Sequence, residues 1–220
     1  MNEKQKQKRM VEIIAALKEV YPEAICALEA GGDPYKLLVM GRLSAQCTDA
    51  RVNIVCRDLF ARYPTAESLA AANENDVAEI VKPCGLYRTK AANIVAACQM
   101  LMTDYGGVLP QEMDELLKFP GVGRKIANLL RGDVYGLPSI VVDTHCMRLC
   151  GRFGMYPQEL KNPARIEEIL VRLVPPEEQT DLCHRLVQFG RDVCTAQRPK
   201  CDACPISHLC EMGRQQKSGS

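Results

Sequence analysis

Four cysteines near the C-terminus constrain this chain more than any other feature of its sequence. Cys194, Cys201, Cys204 and Cys210 form a C-x6-C-x2-C-x5-C array. Short loops bring such thiolates together at little entropic cost, so the array predicts that this segment winds around one metal centre. A structural zinc site with four cysteine ligands usually has two C-x2-C pairs, and this array has one. The spacing therefore favours a 4Fe–4S cluster over zinc or four buried free thiols.

The rest of the sequence indicates a chain that stays in the cytosol. Met1–Lys8 is basic and polar, and no apolar signal-peptide core follows it. No stretch is apolar enough to span a bilayer. The other eight of the twelve cysteines show no metal-ligand spacing, so most of them are expected to be packing residues.

Apolar residues recur at helical spacing nearly everywhere. Met10, Ile14 and Leu17 mark one face of a first helix, and similar faces follow along the chain. Ile140–Val142 is the only strand-like run, and it is too short and solitary to make a sheet. The predicted fold class is all-α, with a boundary between two helical blocks near Gly136–Pro138.

The segment Leu116–Asn128 is the most informative part of the chain. An apolar helix end meets Pro-Gly-Val-Gly, and a second helix is expected to begin at about Arg124. Glycines allow a positive φ and close approach of the backbone to another molecule. First-turn amides without acceptors suit a phosphate. Because the net charge is only +1, a polyanion must be met by a local basic face. The pattern predicts a helix–hairpin–helix DNA-binding motif.

Lys125 is the candidate nucleophile in this segment. The positive helix end and the neighbouring Arg124 both favour the neutral amine, which can attack a sugar carbon and form a Schiff base. On its own, Lys125 is better explained as one more phosphate contact. The context is Asp143, which follows the apolar run Ile140–Val142 where a helix should begin. Aspartate is a common N-cap, and a capping carboxylate near a buried helix end can also serve catalysis.

Arg198 and Lys200 lie inside the first loop of the cysteine array. They are expected to project as a small basic finger. Such a pair is equally well explained as a solvated surface or as a phosphate contact.

Five motifs together resemble the endonuclease III family of DNA glycosylase/AP lyases, of the helix–hairpin–helix superfamily and the iron–sulfur type. They extend over most of the chain and occur in the family's order: Leu43–Asp49, Gly85–Tyr87, Phe119–Lys125, Val142–His145 and the four-cysteine array. Ile126 departs from the family, because many members have threonine there.

The resemblance implies a two-lobed helix–hairpin–helix DNA glycosylase fold, with DNA bound between the lobes. Residues 27–137 would form a six-helix barrel lobe that carries the hairpin. Residues 1–26 and 138–211 would form a helical lobe with the iron–sulfur cluster. Residues 212–220 would be a polar tail.

The same resemblance implies a bifunctional DNA glycosylase/AP lyase of base excision repair. Such an enzyme removes oxidised pyrimidines through a Schiff base and cleaves the strand by β-elimination. Lys125 looks like the nucleophile and Asp143 like the catalytic carboxylate. Gln46 looks like the residue that fills the hole left by the flipped nucleotide, and Leu86 like the wedge. The remaining predicted DNA contacts are Gly121, Val122, Gly123, Arg124, Arg198 and Lys200.

Double-stranded DNA that contains damaged bases or abasic sites is the expected partner. The protein is expected to be a cytoplasmic, nucleoid-associated monomer with no membrane partner. Two alternatives stay open. One is a monofunctional mismatch adenine glycosylase of the same superfamily, which Lys125 argues against. The other is a non-catalytic helix–hairpin–helix DNA-binding protein, in which Lys125 is one more cation.

Overall fold

The computed structural model describes residues 1–218, and every regular element among them is a helix. In chain order these are α1 (Glu3–Val20), α2 (Pro34–Leu43), α3 (Asp49–Arg62), α4 (Ala66–Ala70), α5 (Glu74–Val81), α6 (Tyr87–Tyr105), α7 (Met113–Leu116), α8 (Arg124–Tyr135), α9 (Thr144–Arg152), α10 (Pro163–Leu173), α11 (Gln179–Asp192) and α12 (Glu211–Ser218). Short 3-10 helices lie at Lys82–Cys84 and Pro176–Glu178. The strand-like run Ile140–Val142 is buried in an irregular segment. The all-α prediction is confirmed.

The chain divides into two compact units. The middle unit is Cys26–Leu137, and it contains α2 to α8. The terminal unit combines Met1–Ile25 with Pro138–Ser220, and it contains α1 and α9 to α12. Each candidate site residue therefore belongs to one of these two units.

The middle unit is built around α6, which packs against α2, α4 and α5. Its predicted apolar face is buried, because Ile94, Cys98 and Leu101 are each at most 2% exposed. Gly106 ends this helix in a left-handed conformation, as a C-terminal glycine commonly does. α2 also packs against α8, the helix that follows the predicted hairpin.

The terminal unit packs α1 against α10 and α11, and α9 against α11. The predicted inner face of α1 is buried at Met10, Ile14 and Leu17. The guanidinium of Arg185 donates to the carbonyl of Tyr21 at 3.0 Å, which fastens the end of α1 to α11. This arrangement supports α9, the helix that carries Asp143 at its start.

Side-chain caps explain where several of these helices begin. The Asn2 side chain accepts from the Gln5 amide, and the Gln5 side chain accepts from the Asn2 amide, which makes a capping box. The predicted start of α10 is confirmed: Asn162 caps it and Pro163 is its first residue. These polar caps satisfy amides that a helix cannot pair internally.

The C-terminal segment is helical over Glu211–Ser218, so α12 extends into residues 212–220, the predicted polar tail. Residues 219–220 of that predicted tail lie outside the described residues. Within residues 1–218, no helix is both long and apolar enough to cross a bilayer.

Candidate active site

The hairpin joins α7 to α8 through a tight turn, which is held by a buried side chain. Phe119 is buried, and its ring stacks on Tyr105 with centroids 5.1 Å apart. Gly121 has φ +77°, and a Cβ added there would lie 2.3 Å from Nε of Arg42. The left-handed backbone therefore favours glycine at position 121, and any larger residue there would also displace the Arg42 side chain.

Val122 differs from its hairpin neighbours, because its side chain is only 7% exposed. Its amide donates to the carbonyl of Phe119 at 3.0 Å. Gly121, Gly123 and Arg124 are exposed. Of the four hairpin residues that the sequence predicts to contact DNA, Val122 therefore offers the least to an external ligand and instead anchors the turn.

The N-terminus of α8 presents a surface suited to an anion. Its N-cap is Gly123, which has no side chain to accept hydrogen bonds from the first-turn amides. Arg124 and Lys125 follow in the first turn, and both side chains are exposed. The helix start predicted at about Arg124 is confirmed. Amides, helix dipole and two cations together favour a phosphate here.

Ile126 points into the core, whereas the neighbouring Lys125 is exposed. It is buried against α2, where a Cβ added to Gly41 would lie 3.2 Å from its Cγ2. Ile126 is therefore a packing residue between α8 and α2. The departure from the family that the sequence predicts at position 126 therefore lies in the core and not on the exposed face of α8.

Asp143 caps α9, as the sequence predicts. Its Oδ1 accepts from the amide of Cys146 at 2.7 Å, and its side chain is half-buried. Val141 and Val142 are buried on the approach, and the amide of Val141 donates to the sulfur of Cys183 at 3.2 Å. The carboxylate is thus held in a defined orientation at the start of a packed helix.

Lys125 and Asp143 belong to different units. Lys125 lies in the middle unit and Asp143 in the terminal unit. Each is placed at the N-terminus of a helix, Lys125 inside the first turn and Asp143 at the cap. Their joint action on one substrate stays a prediction.

Gln46 and Leu86 share an unusual backbone conformation. Their φ values are 55° and 48°, and among the described residues no other non-glycine residue has a positive φ. The left-handed conformation costs a non-glycine residue roughly 1–2 kcal/mol. Both residues are exposed, Leu86 by 63% despite its apolar side chain. Strain and exposure of this kind concentrate at functional positions.

The four cysteines of the array line one cavity in the terminal unit, together with Arg152 and Phe189. Cys194 and Cys210 are buried, and Cys201 and Cys204 are half-buried. Burial raises the pKa of Cys201, Cys204 and Cys210 above the ordinary thiol value. A bound cation is therefore what would hold these groups as thiolates at neutral pH. The donor set and its enclosure fit an iron–sulfur cluster.

Two arginines of α9 hold the start of the cysteine loop. Arg152 donates to Sγ of Cys194 at 3.2 Å and to the carbonyls of Thr195 and Ala196 at 2.7 Å. Arg148 donates to the carbonyl of Cys194 at 3.2 and 3.1 Å. The helix that Asp143 caps is therefore bonded directly to the loop around the cavity.

Arg198 and Lys200 are both exposed, as expected for a basic finger. The ammonium of Lys200 donates to the carbonyl of Asp192 at 2.9 Å. The hydroxyl of Thr195 donates to the carbonyl of Arg198 at 2.7 Å. These hydrogen bonds stabilise the conformation of the loop, and the Arg198 side chain stays exposed.

The comparisons with known proteins agree with this geometry. Residues 39–176 match the HhH-GPD superfamily base excision DNA repair protein, and residues 194–210 match the iron-sulfur binding domain of endonuclease III. The endonuclease III of Synechocystis sp. is 41% identical over 206 residues, which cover 93% of each protein. Two solved structures, a non-covalent endonuclease III–DNA complex and a trapped endonuclease III–DNA covalent intermediate, each share 37% identity over 99% of both chains, with TM-scores of 0.89.

The helical fold, the hairpin and the cysteine loop define a base excision DNA repair protein of the helix–hairpin–helix superfamily. Within that superfamily, the chain belongs to the endonuclease III family. It is a DNA glycosylase with AP lyase activity, and its cofactor is a 4Fe–4S cluster.

Three cationic residues that the sequence did not single out make buried or half-buried hydrogen bonds in the structure. Arg148 and Arg152 follow Asp143 on one face of α9, and their spacing of four could have indicated a shared partner. Lys90 is completely buried in the middle unit. Nothing in its sequence context marks it, because its partners are backbone carbonyls.

Proposed function

We propose that this chain removes oxidised pyrimidines from duplex DNA and cleaves the strand at the resulting abasic site, with Lys125 as nucleophile. The observation that carries the proposal is the position of Lys125, exposed in the first turn of α8 directly after the glycine-capped hairpin. A DNA backbone held by the hairpin would bring a sugar close to this amine. The covalent endonuclease III–DNA intermediate solved for a similar protein supports such chemistry.

The reaction begins with attack of the Lys125 amine on C1′ of the damaged nucleotide. The bond from C1′ to the base breaks, and the base leaves with the bonding electrons and gains a proton. Opening of the sugar ring gives a Schiff base between Lys125 and C1′. Loss of a C2′ proton then expels the 3′ phosphate by β-elimination, and water releases the lysine.

Asp143 is the proposed carboxylate partner. It stabilises the positive charge that develops on the sugar and assists deprotonation of the attacking amine. Its fixed orientation at the N-cap of α9 supports this role, because a preorganised charge needs no rearrangement during the reaction.

The hairpin is the proposed phosphate site, through the backbone at Gly121, Val122 and Gly123 and the side chain of Arg124. Val122 contributes least of these three residues, because its side chain is buried and its amide already donates to the carbonyl of Phe119. Arg198 and Lys200 are proposed to contact the DNA backbone at other phosphates. The Arg198 side chain is exposed, whereas the Lys200 ammonium already donates to the carbonyl of Asp192. These contacts position the duplex without reading its sequence.

Gln46 and Leu86 are the proposed DNA-inserting residues. Flipping a nucleotide costs a few kcal/mol of pairing and stacking. The Gln46 amide can bond to the base left unpaired, and Leu86 can stack against neighbouring bases. Oxidised or ring-saturated pyrimidines stack poorly, so flipping them out of the duplex costs the least free energy.

Cys194, Cys201, Cys204 and Cys210 are the proposed cluster ligands. When bound, the cluster supplies four metal–sulfur bonds that hold the loop, including Arg198 and Lys200, in one conformation. It takes no part in base removal under this proposal. We also propose the domain roles: residues 27–137 form the barrel lobe, and residues 1–26 with 138–211 form the cluster lobe. The active species is proposed to be a cytoplasmic, nucleoid-associated monomer.

Incubation with a duplex that contains thymine glycol tests the proposal. The expected result is strand cleavage at the lesion, with a 3′ product typical of β-elimination. Release of the base without cleavage would indicate a monofunctional glycosylase. Binding without either product would leave only a helix–hairpin–helix DNA-binding protein.

A further inference from the structure

Lys90 is a lysine with no exposed surface, and it joins two loops of the middle unit. Its Nζ donates to the carbonyl of Leu43 at 2.9 Å and to the carbonyl of Cys84 at 2.8 Å. Leu43 is the last residue of α2, three residues before Gln46. Cys84 ends the 3-10 helix, two residues before Leu86. One ammonium group is therefore hydrogen-bonded to the start of both loops.

The backbone of Lys90 adds a third contact to the same structure. Its amide donates to the carbonyl of Leu86 at 3.0 Å, as the first turn of α6 requires. The free thiols of Cys47 and Cys84 are also hydrogen-bonded to each other, so a second side-chain contact joins the two loops. Gln46 and Leu86 thus lie on two loops that are connected to each other through Lys90 and the two cysteines.

The chemistry of the site explains why a lysine is present. Carbonyls at the end of a helix lack intrahelical partners and carry partial negative charge. A cation with three donors can satisfy two such carbonyls that arrive from different helices. Burial lowers the pKa of Lys90, and the neighbouring thiols of Cys47 and Cys84 oppose that shift. An apolar side chain of the same size would leave both carbonyls buried without a donor.

We propose that Lys90 is a positioning residue that holds the Gln46 loop and the Leu86 loop as one rigid element for insertion into DNA. The inference rests on the proposed DNA-inserting roles of Gln46 and Leu86. Both residues occupy the strained left-handed region, which persists only when the surroundings fix it. Loops fixed before binding lose little conformational entropy when they enter the duplex.

Lys90→Met tests the inference, because it keeps the volume of the side chain and removes its donors. Hydrogen exchange of amides 44–47 and 84–87 is expected to rise about tenfold or more. Affinity for a duplex with a tetrahydrofuran abasic site is expected to fall about tenfold, because flexible loops lose entropy on insertion. Leu69→Ala is the control, since Leu69 is equally buried in the same core and belongs to neither loop. It is expected to lower stability without raising exchange in these two loops selectively.

A double-mutant cycle shows whether Lys90 acts through the two loops. In a Gln46→Ala, Leu86→Ala background, Lys90→Met is expected to weaken binding by less than about threefold, because the side chains it positions are gone. An additive loss of about tenfold in that background would overturn the inference. So would unchanged exchange in both loops of Lys90→Met.

The outcomes separate this inference from the proposed function. If Gln46→Ala, Leu86→Ala binds the tetrahydrofuran duplex like the wild type, the proposed insertion is wrong. If that variant binds weakly while Lys90→Met keeps normal loop exchange, only the positioning role is wrong. Should Lys90→Met not fold, Lys90→Gln replaces it, because its side chain is one bond shorter and is expected to keep at most one of the two hydrogen bonds. Its exchange is then expected to rise in one loop and stay low in the other, and low exchange in both would contradict the inference.

Discussion

The amide of Cys146 donates to Oδ1 of Asp143 at 2.7 Å, so the proposed catalytic carboxylate is also the N-cap of α9. Because Asp143 has both roles, different substitutions can separate its effect on helix stability from its effect on catalysis. Asparagine and aspartate cap helices about equally well, and alanine does not cap.

Asp143→Asn is expected to leave stability almost unchanged, because its side-chain oxygen can still accept from the Cys146 amide. Turnover on thymine-glycol duplex is expected to fall about 10²–10⁴-fold, the usual range for a group that transfers protons or stabilises charge. Single-turnover cleavage and urea unfolding measure the two effects. Asp143→Ala is the comparison, since it should also lose roughly 1 kcal/mol of stability. Near-normal turnover of Asp143→Asn would contradict the catalytic role.

Gly121→Ala is expected to damage the hairpin by two effects. The left-handed backbone at φ +77° costs alanine roughly 1–2 kcal/mol, and the new Cβ would lie 2.3 Å from Nε of Arg42. Gly136→Ala is the matched control, because φ there is +63° and nothing lies within 4 Å of an added Cβ. Binding of undamaged duplex, followed by fluorescence anisotropy, should weaken at least about tenfold in Gly121→Ala and stay near wild type in Gly136→Ala. Equal binding by the two variants would argue against the hairpin as the phosphate site.

Arg152→Gln is expected to destabilise the cysteine loop. The substitution removes the guanidinium that bonds to Sγ of Cys194 and to two loop carbonyls, and hydrogen bonds to charged groups contribute about 1.5–3 kcal/mol each. The purified variant should contain less iron per chain and lose its visible absorbance faster in a chelator. Arg172→Gln is the control, because Arg172 is an exposed residue of α10. If the two variants keep iron equally, Arg152 does not hold the loop.

The cofactor itself gives a fourth prediction. The wild-type protein should contain about four iron atoms per chain and be coloured. Serine at Cys194, Cys201, Cys204 or Cys210 should lower the iron content, whereas Cys98→Ala should not, because Cys98 is a core residue of the middle unit. A colourless protein with stoichiometric zinc would contradict the assignment of a 4Fe–4S cluster.

Sequence was sufficient where local rules decide the structure. The N-caps Asn162 and Asp143, the start of α8 and the buried faces of α1 and α6 follow from spacing and side-chain chemistry within a few residues. Val122 shows the limit of motif reasoning, because a position inside a DNA-binding motif turned out to have a buried side chain.

Lys90 shows a limit of a different kind. One of its carbonyl partners is 47 residues away in the chain, and neither partner has a recognisable side-chain chemistry. Only tertiary packing brings Leu43 and Cys84 to one ammonium. The arginines of α9 are similar, because their acceptors in the cysteine loop lie more than forty residues further along.

Borohydride trapping tests the central claim most directly, since reduction makes the Schiff base between lysine and C1′ permanent. Wild-type protein and thymine-glycol duplex should give a covalent complex that survives denaturing electrophoresis. Lys125→Ala should give none while it still binds tetrahydrofuran duplex, and Lys118→Ala should trap normally, because the exposed Lys118 is paired with Glu115 on α7. Undiminished trapping by Lys125→Ala would contradict the assignment of Lys125 as the nucleophile.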